Sequence, residues 1–400
     1  MKTLLLISYL FPPVQSAESI MALNSVKYLS NFGWDAVVVC AEKSKTDPTD
    51  LSTFFDIPNN ISVYRTYSME NIIFKIFQRI GIIPDIKVGW IPFALKKSRE
   101  ILKKRKIEVI ISRSAPITSH LVALKLKSLT KLPWIACFSD PWTQNPYWSH
   151  YIKIKKFDEN LEKKILSIAD RIITITQPAK ELFTEKYKIA DKTIIIPNSF
   201  DPSDFSDNLN VIKEDKFVIT YTGNFYGPRS PEPFFKALKL LDKEEDISTK
   251  IKVKLIGLIG KFKDLIFRYE LGNIVQIIDS LPRKKAIEHL FLSDILLLVD
   301  APSDKESVFL PSKLLDYINI KKPILAIVPE GPSADVVRLT KTGVTVSPED
   351  INGIKNAIKN YYELYKNSKL EIKPDWSEIE KYGTKNYAKT LVNTIEELIT

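Results

Sequence analysis

The sequence predicts an α/β protein built from two successive parallel-sheet domains. Three features carry that prediction. Strand-like and helix-like segments alternate along the whole chain, as expected for parallel strands joined by crossover helices. Most strand candidates are unbroken apolar runs, the mark of strands covered on both faces. The alternation is interrupted once, after Pro197-Asn198-Ser199-Phe200, where DPSDFSDNLNVIKED has no core periodicity and reads as an interdomain linker.

The first domain, residues 1–200, opens with MKTLLLISYL. This apolar run is short, Phe11-Pro12-Pro13 follows at once, and no small-residue cleavage site ends it. It therefore reads as a buried strand over Thr3–Ser8 and not as a leader. Further strands are predicted at Asp35–Cys40, Ile61–Arg65, Ile107–Ser112, Trp134–Phe138, Arg171–Thr176 and Thr193–Ile196. Helical patterns lie between them, among them Glu18–Phe32, which Gly33 closes, and Phe157–Ala169. The second domain, residues 201–375, has strand candidates at Phe217–Thr222, Lys252–Ile256, Ile274–Ile278, Ile295–Val299, Ile324–Val328 and Val344–Val346. The last stretch, 376–400, is a helical pattern with apolar residues at Tyr387, Leu391, Ile395 and Leu398. No strand follows it, so it is expected to return to the first domain. Ligands of such sheets bind beyond the carboxyl ends of the strands, and two domains facing a central cleft place the site there.

Composition narrows the function. The 400 residues are 44% hydrophobic and 26% charged, which is globular and not disordered. Cys40 and Cys137 stand far apart in apolar runs and read as inert core thiols of a reducing compartment, the cytoplasm. Three scattered histidines and no Cys/His cluster argue against a structural zinc site, and no metal or cofactor is expected. No apolar run reaches the roughly 18 residues that a membrane span needs.

The net charge of +10 is unevenly spread. Lys96, Lys97, Arg99, Lys103, Lys104, Arg105 and Lys106 are opposed locally only by Glu100. Ile72, Ile73, Phe74, Ile76, Phe77, Ile80, Ile82 and Ile83 precede them, with Trp90 and Phe93 between. An apolar stretch beside a basic helix suits an anionic membrane surface, and a solvated helix face beside a buried one accounts for the same charges. No recognition motif or basic–aromatic strand pattern points to nucleic acid.

A dinucleotide fingerprint is missing, because YLFPPVQSAES and not G-x-G-x-x-G follows the first strand. Leu255–Gly260, LIGLIG, supplies two glycines after a strand, and a tight strand-to-helix turn explains them. The most informative segment is FLPSKLLDYINIKKPILAIVPEG, residues 309–331. Pro311 is suited to the first helical position. The N–H groups of Ser312, Lys313 and Leu314 then point out of the helix start and, with the helix dipole, form an anion site. Lys313 adds a charge, and Asp316, one turn in, can accept from hydroxyls. A capped helix before a core strand explains the segment equally well.

Several segments resemble retaining family-4 glycosyltransferases of the GT-B fold. LEKKILSIADRIITITQPAKELF, IIIPNSFDPSDF, FVITYTGNFYGPRSPEPFF, DSLPRKKAIEHLFLSDILLLV and PSKLLDYINIKKPILA occur in the family's order and spacing. WIPFALKKSREIL, IISRSAPITSHLVALKLK and PWIACFSDPW are similar to a branch acting on surface polysaccharides, lipopolysaccharide among them. The resemblance implies a first domain that binds acceptor and a second that binds a nucleotide-sugar donor. Gly223 is followed by Asn224 where the family usually has Arg, and Arg229 stands at the family's Lys position; Arg229 and Lys313 are the implied catalytic cations on the donor diphosphate. Leu281-Pro282-Arg283 resembles the loop that holds the base through backbone groups. Pro311, Ser312, Lys313 and Leu314 frame the diphosphate, and Asp316 matches the second member of the paired acidic motif, which binds ribose. Val308 stands where its first member should be, with Glu306 near but out of register.

On the acceptor side, Ser16 and Ala17 take the place of paired glycines, and Ser114 or Arg113 falls near the family's usual histidine; His120 lies further on, on the following helix, where a residue facing a neighbouring element is the more ordinary reading. Asp140 and Trp142, or Trp148, sit at a strand's carboxyl end, suited to a sugar's hydroxyls and face. The implied activity is metal-independent transfer of a hexosyl unit, with retention, to a glycan or polyprenyl-linked acceptor at the inner face of the membrane. The irregular motif positions leave a second implication, a non-catalytic nucleotide-sugar-binding subunit or membrane scaffold.

Overall fold

The computed structural model describes residues 1–147, 152–205, 214–303 and 305–400, with the backbone alone for 152–154. The chain forms two compact units. Unit 1 comprises Met1–Ser199 and Gly383–Thr400, and unit 2 comprises Phe200–Tyr382.

Unit 1 holds strands β1 (Lys2–Ser8), β2 (Trp34–Ala41), β3 (Ser62–Thr66), β4 (Val109–Ser114), β5 (Trp134–Phe138), β6 (Arg171–Thr174) and β7 (Thr193–Ile195). They form one parallel sheet in the order β3-β2-β1-β4-β5-β6-β7. Its helices are α1 (Ala17–Lys27), α2 (Ile72–Arg79), α3 (Ile91–Lys104), α4 (Thr118–Thr130), α5 (Ile152–Ile168) and α6 (Gln177–Tyr187). Successive side chains of a strand face opposite ways. In β1, Leu4 and Leu6 enter one hydrophobic cluster and Leu5 and Ile7 the other, so an unbroken apolar run is what two covered faces require.

Unit 2 holds β8 (Phe217–Thr222), β9 (Ile251–Ile256), β10 (Val275–Ile278), β11 (Ile295–Val299), β12 (Ile324–Ile327) and β13 (Gly343–Val346), parallel in the order β10-β9-β8-β11-β12-β13. Between and after them run α7 (Glu232–Glu245), α8 (Lys263–Arg268), α9 (Arg283–Phe291), α10 (Ser312–Asn319), α11 (Pro332–Leu339), α12 (Ile351–Lys366) and α13 (Trp376–Glu380). Helix α14 (Thr384–Ile399) belongs to unit 1, where Tyr387, Leu391 and Ile395 share a core with Leu4, Leu6 and Trp34.

All thirteen segments that the sequence marks as strands are strands. The return to unit 1 comes later than residue 376. Trp376–Glu380 stays with unit 2, because the Asp375 N–H donates to Thr340 O and Lys321 lies over the Trp376 ring. Helix Glu18–Phe32 is shorter than the sequence implies. It ends at Lys27, and a 3-10 turn over Leu29–Phe32 follows, closed by Gly33 in the left-handed region (φ 78°). Among the described residues no helix is long and apolar enough to cross a membrane.

In each sheet the strand order reverses once, at β1/β4 and at β8/β11. Parallel α/β sheets bind ligands in the crevice that opens at the carboxyl ends of the strands at such a point.

Candidate functional site

The switch point of unit 2 gathers the cations that the sequence singles out. β8 ends at Thr222, and Gly223 follows with φ 118°. A side chain there would be strained and its Cβ would collide with Lys313 Nζ. The absence of a Cβ at Gly223 is therefore what admits the lysine. The start of α10 is held against β8 by Tyr317, whose hydroxyl accepts from the Thr222 N–H (2.9 Å) and lies 3.1 Å from Thr222 Oγ1.

Lys313 Nζ is buried with no hydrogen-bond partner among the described residues, and it lies 3.9 Å from the Tyr221 ring centroid. Burial pushes its ammonium well below the ordinary lysine range, the Arg229 charge adds to this, and Asp300 opposes it. A cation–π contact offsets only part of the desolvation of an ammonium. The site is therefore short of negative charge.

Arg229 is buried beside it. Its Nε and Nη2 donate to Asp300 Oδ1 at 3.2 and 3.0 Å, and Nη1 reaches Tyr226 Oη at 3.4 Å. Asp300 directly follows β11, so both strands of the switch point contribute. Asn224 serves the fold, since its Oδ1 accepts from the Leu258 N–H (2.9 Å) and ties the β8 loop to the β9 loop.

Around α10 the structure corrects the sequence in three places. Pro311 occupies the N-cap and not the first helical position, since its ψ of 134° is extended. Its carbonyl accepts from the Leu314 N–H (3.0 Å), so Leu314 has no N–H left to offer. The helix start thus presents Ser312 and Lys313. Both oxygens of Asp316 are engaged by Arg283, Nη1 to Oδ2 at 2.8 Å and Nη2 to Oδ1 at 2.7 Å. Arg283 also donates to Asp204 Oδ2. Asp316 is thus held in a bidentate pair with Arg283 and does not stand alone as the sequence implies. Leu281 is half-buried and Pro282, exposed, caps α9. Val308, which stands where the motif's first acid would be, is buried, and Glu306 is exposed.

The switch point of unit 1 is built differently. Ser16 caps α1, its Oγ accepting from the Ser19 N–H (3.1 Å), and Ala17 is exposed at the first helical position. Arg113, near the end of β4, is buried and fully engaged. Its Nε donates to Glu18 Oε1 (2.9 Å), Nη1 to Tyr387 Oη (3.2 Å), and Nη2 to Ser139 Oγ (3.1 Å) and Asn198 Oδ1 (3.2 Å). Ser139 Oγ in turn donates to Glu18 Oε2 (2.6 Å). Burial pulls the Arg113 guanidinium down, and Glu18 and Tyr387 more than restore it, so it stays charged. Ser114 is buried beside it at the strand end.

Two acceptor-side residues predicted from sequence are core residues instead. His120 is fully buried on α4, its Nδ1 2.7 Å from Ser112 Oγ, which also accepts from Trp134 Nε1–H (2.8 Å). Its ring packs on Phe138, and burial lowers its pKa to about 3, so it is a neutral packing group. Trp142 is buried, so its face is covered and no sugar stacks on it. Asp140 is exposed, and Trp148 lies outside the described residues. Burial raises both thiols, Cys40 and Cys137, to about 12, in keeping with inert core cysteines.

Sequence reasoning missed Asp300 and the engaged role of Arg113. Both carry a charge at or just past the carboxyl end of an apolar strand, in LLLVD and IISRS, and that juxtaposition was the available signal. Among the described residues no group of three or more His, Cys, Asp or Glu side chains is arranged to hold a metal ion.

Two Rossmann-like units, the second with a cation-lined switch point, define a two-domain α/β protein. Two family models match it, Glycosyltransferase Family 4 over residues 19–204 and Glycosyl transferases group 1 over residues 203–373. The chain belongs to the GT-B glycosyltransferases. No curated protein matches it in sequence. Among solved structures it is similar to sucrose-phosphate synthase of Thermosynechococcus elongatus, with 16% identity, TM-score 0.72, and 100% of this chain and 99% of that one covered. It is also similar to HepE of Anabaena in complex with UDP, with 14% identity, TM-score 0.66, and 99% and 100% coverage. The apo form of the lipopolysaccharide outer core galactosyltransferase WaaB matches at 15% identity and TM-score 0.61, with 99% of each chain covered.

Proposed function

We propose that this protein transfers a sugar from a nucleotide-diphosphate sugar to a glycan or polyprenyl-linked acceptor, with retention of configuration. Unit 2 takes the donor and unit 1 the acceptor. The observation that carries this reading is the buried Lys313 Nζ at the start of α10, without a hydrogen-bond partner among the described residues and with Arg229 close enough to depress it further. A diphosphate supplies the missing negative charge and accepts from the N–H groups of Ser312 and Lys313.

In the transfer, the sugar–phosphate bond breaks and charge develops on the leaving diphosphate. Lys313 and Arg229 stabilise that charge from fixed positions, which is where electrostatic catalysis is most effective. The departing phosphate oxygen takes the acceptor hydroxyl's proton as the new glycosidic bond forms on the same face, so the cycle balances without an enzyme base or a metal. The basic segment at 96–106 places the enzyme on an anionic membrane surface at the cytoplasmic face, where a polyprenyl-linked acceptor resides.

Incubation with a panel of nucleotide sugars and membrane lipid extract tests the proposal, UDP-sugars first. Transfer that disappears in Lys313→Met is the expected result. The pairing of Asp316 with Arg283 and the buried Val308 favour a second reading, a nucleotide-sugar-binding subunit without catalysis. That reading predicts donor binding with neither transfer nor hydrolysis across the panel.

A further inference from the structure

Helix α2 is an amphipathic helix whose apolar face no described residue covers. None of its residues is buried. At 100° per residue, Ile72, Ile76, Ile80, Ile73 and Phe77 fall on one continuous arc. They are 68%, 52%, 57%, 45% and 37% exposed. The opposite side makes the contacts with the fold: the Phe74 ring lies against Gly89, and Gln78 Nε2 donates to Pro84 O (3.3 Å). The helix is capped by Asn71 Oδ1, which accepts from the Ile73 N–H (2.9 Å), and closed by the Ile82 N–H donating to Phe77 O (2.9 Å). The segment is therefore held in shape with its apolar arc turned away from the core. Short helices in water are marginal unless that face is packed, so the arc calls for an occupant.

The charges say which one. From Asn71 to Pro84 the chain has no acid, while Lys75 and Arg79 are exposed along one edge of the arc. Glu70, just before, is already paired with Lys87 (2.7 Å). The next helix, α3, exposes Lys96, Arg99 and Lys103 on one face. A second copy pairing symmetrically through this arc would bring like charges together. An anionic lipid surface satisfies both the apolar arc and the cations around it.

We propose that α2 lies in the headgroup layer of an anionic membrane, with Ile72, Ile73, Ile76, Phe77 and Ile80 inserted and Lys75 and Arg79 on lipid phosphates. This rests on the membrane reading of the basic segment and adds the element that enters the bilayer. Both native thiols are buried, so an Ile76→Cys variant carries an environment-sensitive dye at α2 alone. The full-length protein is mixed with vesicles of phosphatidylcholine, with and without phosphatidylglycerol, at low and high salt. Flotation with the anionic vesicles and a blue shift of the dye are expected, and Ile76→Glu/Phe77→Glu should lower partitioning by at least about tenfold. These side chains are exposed, so the double variant folds. Binding by the double variant equal to that of the parent, lost instead in Lys96→Glu/Arg99→Glu/Lys103→Glu, overturns the role of α2 and leaves the electrostatic reading standing. No flotation of the parent overturns both. A dimer in solution that Ile76→Glu/Phe77→Glu dissociates assigns the face to a second copy and overturns the proposal.

Discussion

The two switch points occupy equivalent places in their sheets and carry opposite electrostatic states. At β1/β4, Arg113 is surrounded by Glu18, Ser139, Asn198 and Tyr387, and its guanidinium is satisfied by the protein alone. At β8/β11, Asp300 answers Arg229, and Lys313 Nζ has nothing to donate to among the described residues. A satisfied buried charge fixes structure, whereas an unsatisfied one raises the energy of the free protein and is relieved by an anion. The same topology thus holds a satisfied charge in one unit and an unsatisfied one in the other.

The comparison breaks first at Arg113. Its replacement by Met strands Glu18 in the interior and should destabilise unit 1 by about 3–5 kcal/mol. Calorimetry should show the unit 1 transition falling while UDP binding at low temperature persists. An unchanged transition would mean that the network is ornamental.

Lys313→Met asks the converse question. UDP affinity should drop by about 10- to 100-fold, the loss of one charge-assisted contact of roughly 1.5–3 kcal/mol. The ligand-free variant should melt higher than the parent, because an unpaired buried ammonium has been removed. The sign of its pH dependence follows. The folded state holds fewer protons than the unfolded state between its depressed pKa and 10.5, so stability rises with pH across that window in the parent and is flatter in the variant. A lower melting point with unchanged UDP affinity would contradict both halves.

A smaller effect belongs to unit 1. Asp158 is buried on α5 near Glu162, which accepts from the Thr143 N–H and the Tyr187 hydroxyl. Burial, then Glu162 and Asp85, raise the Asp158 carboxyl to about 7. Between 3.8 and about 7 the folded state binds the extra proton, so stability declines as pH rises through that range. Asp158→Asn should remove this decline and melt a few degrees above the parent at pH 8, roughly 1–2 kcal/mol. Parallel melting curves for the two proteins from pH 5 to pH 8 would refute it. Least in stability is Asp140→Ala, an exposed change expected to cost under about 0.5 kcal/mol. If Asp140 meets the acceptor, the acceptor KM rises while UDP affinity holds; a change in UDP affinity alone would remove it from the acceptor side.

The sheets were legible because burial on both faces leaves no polar alternation to misread; ILLLV and LLLIS allow little else. Gly223, Arg229 and Lys313 were legible as a group through their order along the chain, and the structure brings Lys313 to Gly223 and to Arg229's field. The Arg283–Asp316 pair was not, since each residue had a separate local explanation and their meeting depends on how α9 and α10 pack. His120 and Trp142 misled for a related reason. A polar aromatic near a strand's carboxyl end looks functional until the face it turns inward is known, and both face the core.

Helix α14 has a consequence for synthesis. The core beneath β1 includes Tyr387, Leu391 and Ile395, so the unit begun first cannot be completed until residues beyond unit 2 have been made. At about 5–20 residues per second, translation of unit 2 separates the two events by on the order of ten seconds or more. During that time Leu4, Leu6 and Trp34 wait with one side unlidded. Unit 2, continuous from Phe200 to Tyr382, has all its parts in hand sooner. On the ribosome the order of completion runs opposite to the order of the chain.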